Sequence, residues 1–191
     1  MPEVAMKHSQ DLHADVAEVL LSEEQIRAKV AELGKRITAD YAGNEVTLVS
    51  VLKGSLPFMA DLMRQIDLPL RIDLMEVSSY GGTAIESSGL VRILKDLSAP
   101  IDDRHVLLVE DIIDTGLTLN YLLRYLRGKN PRSIKVCSLL DKPARRLVEI
   151  PLDYVGFEIP DAFVVGYGLD YGEVYRNLRF VGVLRPEAYE S

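Results

Sequence analysis

The stretch VLLVEDIIDTGLTL, residues 106–119, sets three carboxylates into a run of aliphatic side chains. Its first four residues are continuously apolar, which is typical of a short and fully buried β-strand. Glu110, Asp111 and Asp114 would be costly inside a core unless a cation, a ligand or water met their charges. We therefore expect this strand to end at a polar site.

Residues 114–118, DTGLT, predict a turn from that strand into a helix. Gly116 permits the close approach of a ligand, and the hydroxyls of Thr115 and Thr118 add to the free amides of the helix N-terminus. This combination suits a phosphate monoester. The neighbouring carboxylates would repel a phosphate, so they are better placed on hydroxyl groups or on Mg²⁺, which prefers oxygen ligands. A ribose 5-phosphate group offers both kinds of contact.

The rest of the chain alternates strands with helices, which predicts an α/β protein with a mostly parallel twisted sheet covered on both faces. Ser22 and Gln25 form a predicted capping box at the start of the first helix. In open parallel sheets, ligands collect at the carboxyl ends of the strands, where the acidic stretch is expected to lie. The predicted helices cover residues 23–41, 57–66 and 118–127, and the predicted strands or short apolar runs cover 46–52, 70–80, 89–97, 106–110, 133–141, 154–159, 163–168 and 179–184.

The composition predicts one ordinary globular domain, with 191 residues of which 48% are hydrophobic. We expect residues 1–16 to be a loose polar tail and residues 17–191 to form the domain. A net charge of −7 argues against general binding to nucleic acid or to anionic membranes. No apolar stretch approaches the span of a bilayer, and the first residues lack the apolar core of a signal peptide. Cys137 is the only cysteine and lies in an apolar run, so we expect a buried inert thiol and a cytoplasmic location.

With strand and helix on the expected sides, residues 106–119 resemble the signature of the type I phosphoribosyltransferases, which bind phosphoribosyl pyrophosphate (PRPP). The resemblance extends from about residue 20 to about residue 185. It implies the type I phosphoribosyltransferase fold, in which a small hood lobe lies over the carboxyl ends of the strands. The hood would be built mainly from about residues 150–191 with N-terminal contributions. Members of the family form dimers and tetramers, so a homodimer or homotetramer is implied.

Four further stretches narrow the resemblance to the bacterial type of hypoxanthine-guanine phosphoribosyltransferases. LKGS (52–55) resembles the pyrophosphate loop, in which the peptide before the glycine can be cis. SSYGGTAIESSG (78–89) resembles the mobile lid of the family. DKPARR (141–146) places a lysine where relatives contact the purine. GFEIPDAFVVGYGLDYGEVYRNL (156–178) resembles the base-binding segment.

The resemblance implies a purine-salvage enzyme that transfers the phosphoribosyl group from PRPP to N9 of hypoxanthine or guanine, with Mg²⁺ as cofactor. Asp114 matches the proposed general base at purine N7, and Lys142 would polarise the oxygen at C6. Phe163 would stack on the base, and the carbonyl group of Val164 would accept from its edge. By the same resemblance, PRPP and its phosphates would be bound by Lys53, Gly54, Glu110, Asp111, Asp114, Thr115, Gly116, Leu117, Thr118 and Arg176; the purine by Ile112, Lys142, Phe163, Val164 and Asp170; Mg²⁺ by Glu110, Asp111 and Asp170; and the lid would carry Ser79 and Tyr80.

Several residues allow a plainer interpretation. Phe163 and Val164 could be ordinary core residues, because an aromatic side chain in an apolar run usually is one. Residues 78–89 could be an ordinary polar hairpin loop. Leu117 departs from the pattern, because some relatives, notably eukaryotic ones, carry lysine there. The phosphate site would then rely on backbone amides and hydroxyl groups. His105 precedes a buried strand and is interpreted as structural.

Two other functions are compatible with the same fold. One is a PRPP-sensing regulator that binds RNA or DNA. Such a protein should present a basic face, whereas this chain is acidic and keeps a complete purine-binding pattern. The other is a preference for xanthine, which depends on a single oxygen at C2 and which spacing in the sequence does not test.

Overall fold

The computed structural model describes residues 12–79 and 91–189, in which nine strands and three helices occur. Six of the strands form the main sheet in the order β4-β3-β2-β5-β6-β7, and all neighbours are parallel except β3 and β4. The predicted α/β class with a mostly parallel sheet is confirmed. In chain order the elements are β1 (Val16–Leu21), α1 (Glu23–Asp40), β2 (Val46–Leu52), α2 (Leu56–Met63), β3 (Leu70–Ser79), β4 (Val91–Lys95), β5 (His105–Ile113), α3 (Leu117–Arg127), β6 (Ser133–Asp141), β7 (Tyr154–Glu158), β8 (Val164–Val165) and β9 (Val181–Leu184).

Helices cover both faces of the main sheet. Side chains alternate between the two faces of a strand, and β5 shows the result. Leu107 and Val109 pack in the core formed with α1 and α2, whereas Val106 and Leu108 pack in the core formed with α3. Full burial of each such side chain contributes about 1.5–3 kcal/mol. The central strand is therefore held from both sides, and the loop that follows it is held with it.

β5 is longer than its predicted range of residues 106–110, because β6 continues to pair with it through Glu110–Ser138 and Ile112–Leu140. The acidic pair Glu110-Asp111 consequently lies within the strand, not after it. The main chain around both carboxylates is therefore fixed by sheet hydrogen bonds.

A second, three-stranded sheet in the order β1-β9-β8 forms the hood. It joins the two ends of the described chain, since Val16 pairs with Leu184 in antiparallel fashion. The sequence did not predict β1, whose only partner in this sheet follows far along the chain. Leu12 packs on the hood core, and Asp15 accepts a hydrogen bond of 2.8 Å from the hydroxyl of Tyr175. Residues 12–16 thus pack in the hood, which differs from the loose tail expected from the sequence; residues 1–11 lie outside the described ranges.

Other element boundaries shift by a few residues. The predicted capping box is present, and α1 ends one residue before the predicted 41. α2 ends at Met63, and α3 begins at Leu117. β8 contains two residues, because the positive φ angles from Gly166 to Gly168 turn the chain immediately after it. Within the described ranges, no helix has the length and apolar composition needed to cross a bilayer.

Candidate active site

A cavity of about 380 Å³ opens beside the carboxyl end of β5, between the main sheet and the hood. It collects residues from four segments that are far apart in the sequence, and most of these residues were predicted as site residues. A larger groove of about 680 Å³ lies between α1, α2 and residues 176–179, but the acidic stretch does not line it. The smaller cavity is lined by Lys53, Gly54, Asp111, Ile112, Asp114, Lys142, Arg145, Phe163, Val164, Leu169, Asp170 and Arg176.

The loop of residues 114–118, predicted to bind phosphate and here called the phosphate loop, lines an adjoining cavity of about 230 Å³ with all of its residues except Leu117. Gly116 precedes α3 with φ at +83° and provides no side-chain cap. The amide of Leu117 donates to Oγ1 of Thr115 at 3.4 Å, so the amides of the next residues in the first turn are the ones offered to a ligand. A Cβ atom at Gly116 would lie 2.5 Å from Cδ1 of Ile150. The carbonyl of Thr115 accepts from the amide of Leu147 at 3.0 Å, which ties the loop to the segment beyond β6. Leu117 itself lines neither cavity.

Glu110 and Asp111 form an acidic pair with half-buried side chains. Burial raises the pKa of Glu110 well above its usual value, and the nearby Asp111 adds to this effect. Burial also raises the pKa of Asp111 to about 6, against the opposing effects of the Ile112 amide and of Arg176. In the described part of the chain, no Lys, Arg or His makes an ion pair with either carboxylate. The pair therefore favours a cationic or proton-donating ligand.

Asp111 also borders the loop of residues 52–55, which is predicted to bind pyrophosphate and is here called the pyrophosphate loop. A Cβ atom at Gly54 would lie 1.8 Å from Oδ2 of Asp111, so a side chain at this position would collide with the carboxylate. A cis peptide joins Leu52 and Lys53, one peptide earlier than the bond before the glycine that the sequence suggested. The carbonyl of Gly54 also lies close to Gly168 of the hood segment. A Cβ atom added at Gly168 would be 1.9 Å from this carbonyl oxygen. Glycines thus allow the three segments to meet.

Asp114 lines the cavity and forms an ion pair with Arg145, a cation that was not predicted from the sequence. Nε of Arg145 lies 2.9 Å from Oδ1 of Asp114, and Nη1 of Arg145 lies 3.6 Å from Oδ1 of Asp161. The first contact is an ion pair without hydrogen-bond geometry, since Oδ1 of Asp114 has no hydrogen-bond partner within the described residues. Arg145 lies in the quoted DKPARR stretch, yet an arginine in a polar turn gives no sequence signal of such a contact.

Lys142 is buried at the end of β6, and its ammonium group donates a hydrogen bond of 2.6 Å to the carbonyl of Ala162. Burial lowers the pKa of Lys142, although Asp114 and Asp161 oppose the effect. One hydrogen-bond donor of the ammonium group is therefore used by the carbonyl of Ala162, and the residue also lines the cavity.

Phe163 packs in the hood core and also lines the cavity. Its ring stacks on Tyr189 with centroids 4.9 Å apart and meets the ring of Tyr171 edge-on at 5.6 Å, so one side packs in the hood core. The residue also lines the cavity beside Val164. Tyr189 was not anticipated, because nothing in the sequence near the C-terminus indicates which ring it supports.

The far side of the cavity is a network of ion pairs. Arg176 lies 2.8 Å from Asp170 and 3.3 Å from Glu173, and it donates to the carbonyl of Gly168 at 2.8 Å. Lys53 lies 2.9 Å from the other oxygen of Glu173. The structure thus brings Lys53, Asp170 and Arg176 together as the sequence suggested, and adds Glu173, which was missed.

Three further predictions from the sequence concern Cys137, His105 and the residues of the lid. Cys137 is fully buried, and burial raises the pKa of its thiol strongly, as expected for an inert residue. Nδ1 of His105 lies 2.7 Å from the hydroxyl of Ser133, outside both cavities. Tyr80 and the side chain of Ser79, predicted for the lid, lie outside what the structure describes. Among the described residues, no group of three or more His, Cys, Asp or Glu side chains is placed to hold a metal ion.

The chain and its fold are similar to known proteins. A family model described as a phosphoribosyl transferase domain matches residues 17–172. The hypoxanthine-guanine phosphoribosyltransferase of Bacillus subtilis is 53% identical over 186 residues, which cover 97% of this chain and 99% of the relative. That of Streptococcus agalactiae serotype V is 55% identical over 181 residues, with 94% and 99% covered. The crystal structure of a hypoxanthine phosphoribosyltransferase from Staphylococcus aureus has a TM-score of 0.91 at 48% identity, and 96% of this chain and 100% of that chain are covered.

Proposed function

The chain belongs to the phosphoribosyltransferase family, and from that premise we propose that it transfers the 5-phosphoribosyl group of PRPP to N9 of hypoxanthine or guanine. The products would be inosine or guanosine 5′-monophosphate and pyrophosphate, in a reaction of purine salvage. The names and high identities of the relatives from Bacillus subtilis and Streptococcus agalactiae support this choice of base.

The cavity of about 380 Å³ carries the proposal, because groups suited to each part of the two substrates converge on it. Its lining combines an aromatic ring, a buried ammonium group, three carboxylates and three further cations. Apolar packing with a few fixed polar groups is the usual composition of a small-molecule site. The adjoining phosphate loop offers helix amides and hydroxyl groups to a 5′-phosphate.

On the purine side, Asp114 would act as the general base and accept the proton at N7. Lys142 would donate to the oxygen at C6, and Ile112, Phe163 and Val164 would enclose the ring. An ammonium group can donate a hydrogen bond to a 6-oxo group but not to a 6-amino group, which itself presents N–H donors. We therefore infer that adenine is rejected.

On the ribose side, the acidic pair would hold hydroxyl groups of PRPP, directly or through Mg²⁺. The donor set fits that ion, because Glu110, Asp111 and Asp170 provide carboxylate oxygens and the first two have no ion-pair partner in the described ranges. Among the described residues these carboxylates do not form one group of three ligands, so the remaining ligands of the ion would have to be substrate oxygens. When bound, Mg²⁺ would neutralise charge on the pyrophosphate group.

Departure of pyrophosphate leaves positive charge on the ribose ring, so the leaving group must be stabilised while water is kept away. The amides of the pyrophosphate loop, with Lys53 and Arg176, would receive the leaving group. Ser79 and Tyr80 would belong to a lid that closes over it. We also infer a homodimer or homotetramer acting in the cytoplasm, which sedimentation of the purified protein and fractionation of cells would test.

The competing regulator is not favoured by the comparisons, and the cavity retains the groups that a purine base requires. A preference for xanthine differs only at C2 of the base. Since Val164 lines the cavity through β8, the edge of the base that faces this strand decides between hypoxanthine, guanine and xanthine.

A nucleotide-synthesis assay tests the proposal. The purified protein would be given PRPP and Mg²⁺ with hypoxanthine, guanine, xanthine or adenine in separate reactions. We expect turnover with the first two, none with adenine, and none after chelation of the metal. Binding of PRPP without turnover on any base would overturn the proposed enzyme and favour the regulator.

A further inference from the structure

Glu173 joins the two cations that line the far side of the cavity. Its Oε2 lies 2.9 Å from Nζ of Lys53, and its Oε1 lies 3.3 Å from Nη2 of Arg176. Each carboxylate oxygen therefore serves a different cation, and the two cations come from segments that lie far apart in the chain. Among the described residues, no other carboxylate makes ion pairs with both the pyrophosphate loop and the hood.

The backbone holds Glu173 in this position. Its φ angle is +69°, and it follows Gly172, whose φ is also positive. The amide of Glu173 donates a hydrogen bond of 2.8 Å to Oδ2 of Asp170, and Oδ1 of the same aspartate is 2.8 Å from Arg176. A left-handed conformation at a non-glycine residue persists where surrounding contacts support it. The bend thus aims the Glu173 side chain back toward Lys53.

Both cations held by Glu173 are the ones assigned above to the leaving group. A lysine ammonium engaged by a carboxylate has fewer free donors for a phosphate oxygen, and the carboxylate itself repels an incoming anion. From this geometry we propose that Glu173 is a place-holder for pyrophosphate, which must displace the carboxylate from Lys53 and Arg176 in order to bind. The inference rests on the proposed function and adds a positioning residue to it.

The arrangement has a kinetic consequence. A resident carboxylate competes with pyrophosphate at every turnover, so it weakens binding of the product and speeds its release. Product release limits the turnover of many enzymes, and a built-in competitor at the leaving-group site counteracts that limit. The side chains of Lys53 and Glu173 are 58% and 63% exposed. Because ion pairs between solvated groups are weak, competition from Glu173 should lower the affinity for pyrophosphate only moderately.

The test is the variant Glu173→Gln, whose amide keeps the size of the side chain and an acceptor for Lys53 but loses the charge. We expect pyrophosphate, titrated with Mg²⁺ present, to bind about three- to tenfold more tightly to the variant. The turnover number for inosine monophosphate synthesis should fall wherever pyrophosphate release limits it, and the KM for PRPP should fall too. Glu18→Gln is the matched control, because Glu18 is an exposed carboxylate on β1 with the same charge change.

Unchanged or weaker pyrophosphate binding in Glu173→Gln would overturn the proposal and make Glu173 a structural support for Lys53 and Arg176. The same series separates this failure from failure of the proposed function. If the unaltered protein synthesises the nucleotide while the variant gains no affinity for pyrophosphate, only the place-holder is refuted. If the unaltered protein makes no nucleotide from any base, the proposed function itself is refuted, and with it the role of Glu173 that depends on it.

Discussion

The two halves of the candidate active site are built in opposite ways. The phosphate loop is one contiguous stretch that presents backbone amides and hydroxyl groups and relies on a glycine with positive φ. The opposite half, here called the ion-paired wall, consists of Lys53, Lys142, Arg145, Asp161, Asp170, Glu173 and Arg176, which come from three separate segments. In the wall, three of the four cations already form an ion pair with a carboxylate.

This contrast separates two ways of binding anionic groups. A loop of amides is preformed and depends on shape, so a single added carbon can disable it. A wall made mainly of partly exposed ion pairs depends on charge balance, so single changes there should have graded effects. Substitutions on the two sides should therefore differ in size and in the kinetic constant that they alter.

The largest effect should come from Asp114, which begins the phosphate loop but faces the wall. We expect Asp114→Asn to lower the turnover number for nucleotide synthesis by roughly 10²- to 10⁴-fold, as for removal of a general base. Binding of PRPP, measured by calorimetry, should change far less, and Asp102→Asn at an exposed position is the control. Equal losses of turnover and of PRPP affinity would instead assign Asp114 to the structure of the loop.

The next largest effect should come from Gly116→Ala, which tests the shape of the loop. The new methyl group would meet Ile150 at 2.5 Å in addition to the unfavourable positive φ. We expect the free energy of unfolding in urea to fall by about 2–4 kcal/mol and the affinity for PRPP to fall more than about tenfold. Gly43→Ala has a similar φ of +78° with open space around it, and it should cost only about 1 kcal/mol. Equal costs at the two glycines would show that the loop has room to move.

Lys142→Met should show an intermediate effect confined to the base. The change keeps the length and apolar stem of the side chain but removes its charge and its hydrogen bond to Ala162. We expect the KM for hypoxanthine to rise roughly 10- to 100-fold, because an oxygen-recognising donor is lost, while the affinity for PRPP stays within about threefold. Measured KM values for hypoxanthine and PRPP show whether the effect is confined to the base. A loss of PRPP affinity as large as the loss for hypoxanthine would show that the two halves of the site are coupled.

The smallest effect should come from Arg145→Ala in the wall. The side chain of Arg145 is 37% exposed, and those of its partners Asp114 and Asp161 are 41% and 54% exposed. We expect a change in the free energy of unfolding below about 1 kcal/mol and a change in kcat/KM for hypoxanthine below about fivefold. Arg124→Ala on the exposed face of α3 serves as control. A loss of activity far beyond this range would mean that Arg145 contacts a substrate.

The contrast between the halves also explains what the sequence could predict. The phosphate loop and the acidic pair are contiguous, and continuous apolar runs marked β2, β5 and β6 with their neighbouring helices, so these features were predicted from local patterns. The overall class followed from the alternation of strands and helices.

The missed features depend on partners that are distant in the chain. β1 is recognisable only beside β9, and the contact of Arg145 with Asp114 and of Glu173 with Lys53 requires folding of the whole sheet and hood. Polar residues in turns carry no periodic pattern that would reveal such pairs. The extension of β5 past the acidic pair likewise depends on pairing with β6, not on the composition of the strand.

The pairing of β1 with β9 also sets an order of events on the ribosome. β1 is translated about 160 residues before its partner β9, which corresponds to a delay of roughly 10 to 30 seconds at ordinary rates of synthesis. The strands that carry the phosphate loop are complete well before then. A nascent chain can therefore form the loop of residues 114–118 before β9 is available to pair with β1, and a message cut short before β9 would yield a protein whose β1 edge stays unpaired.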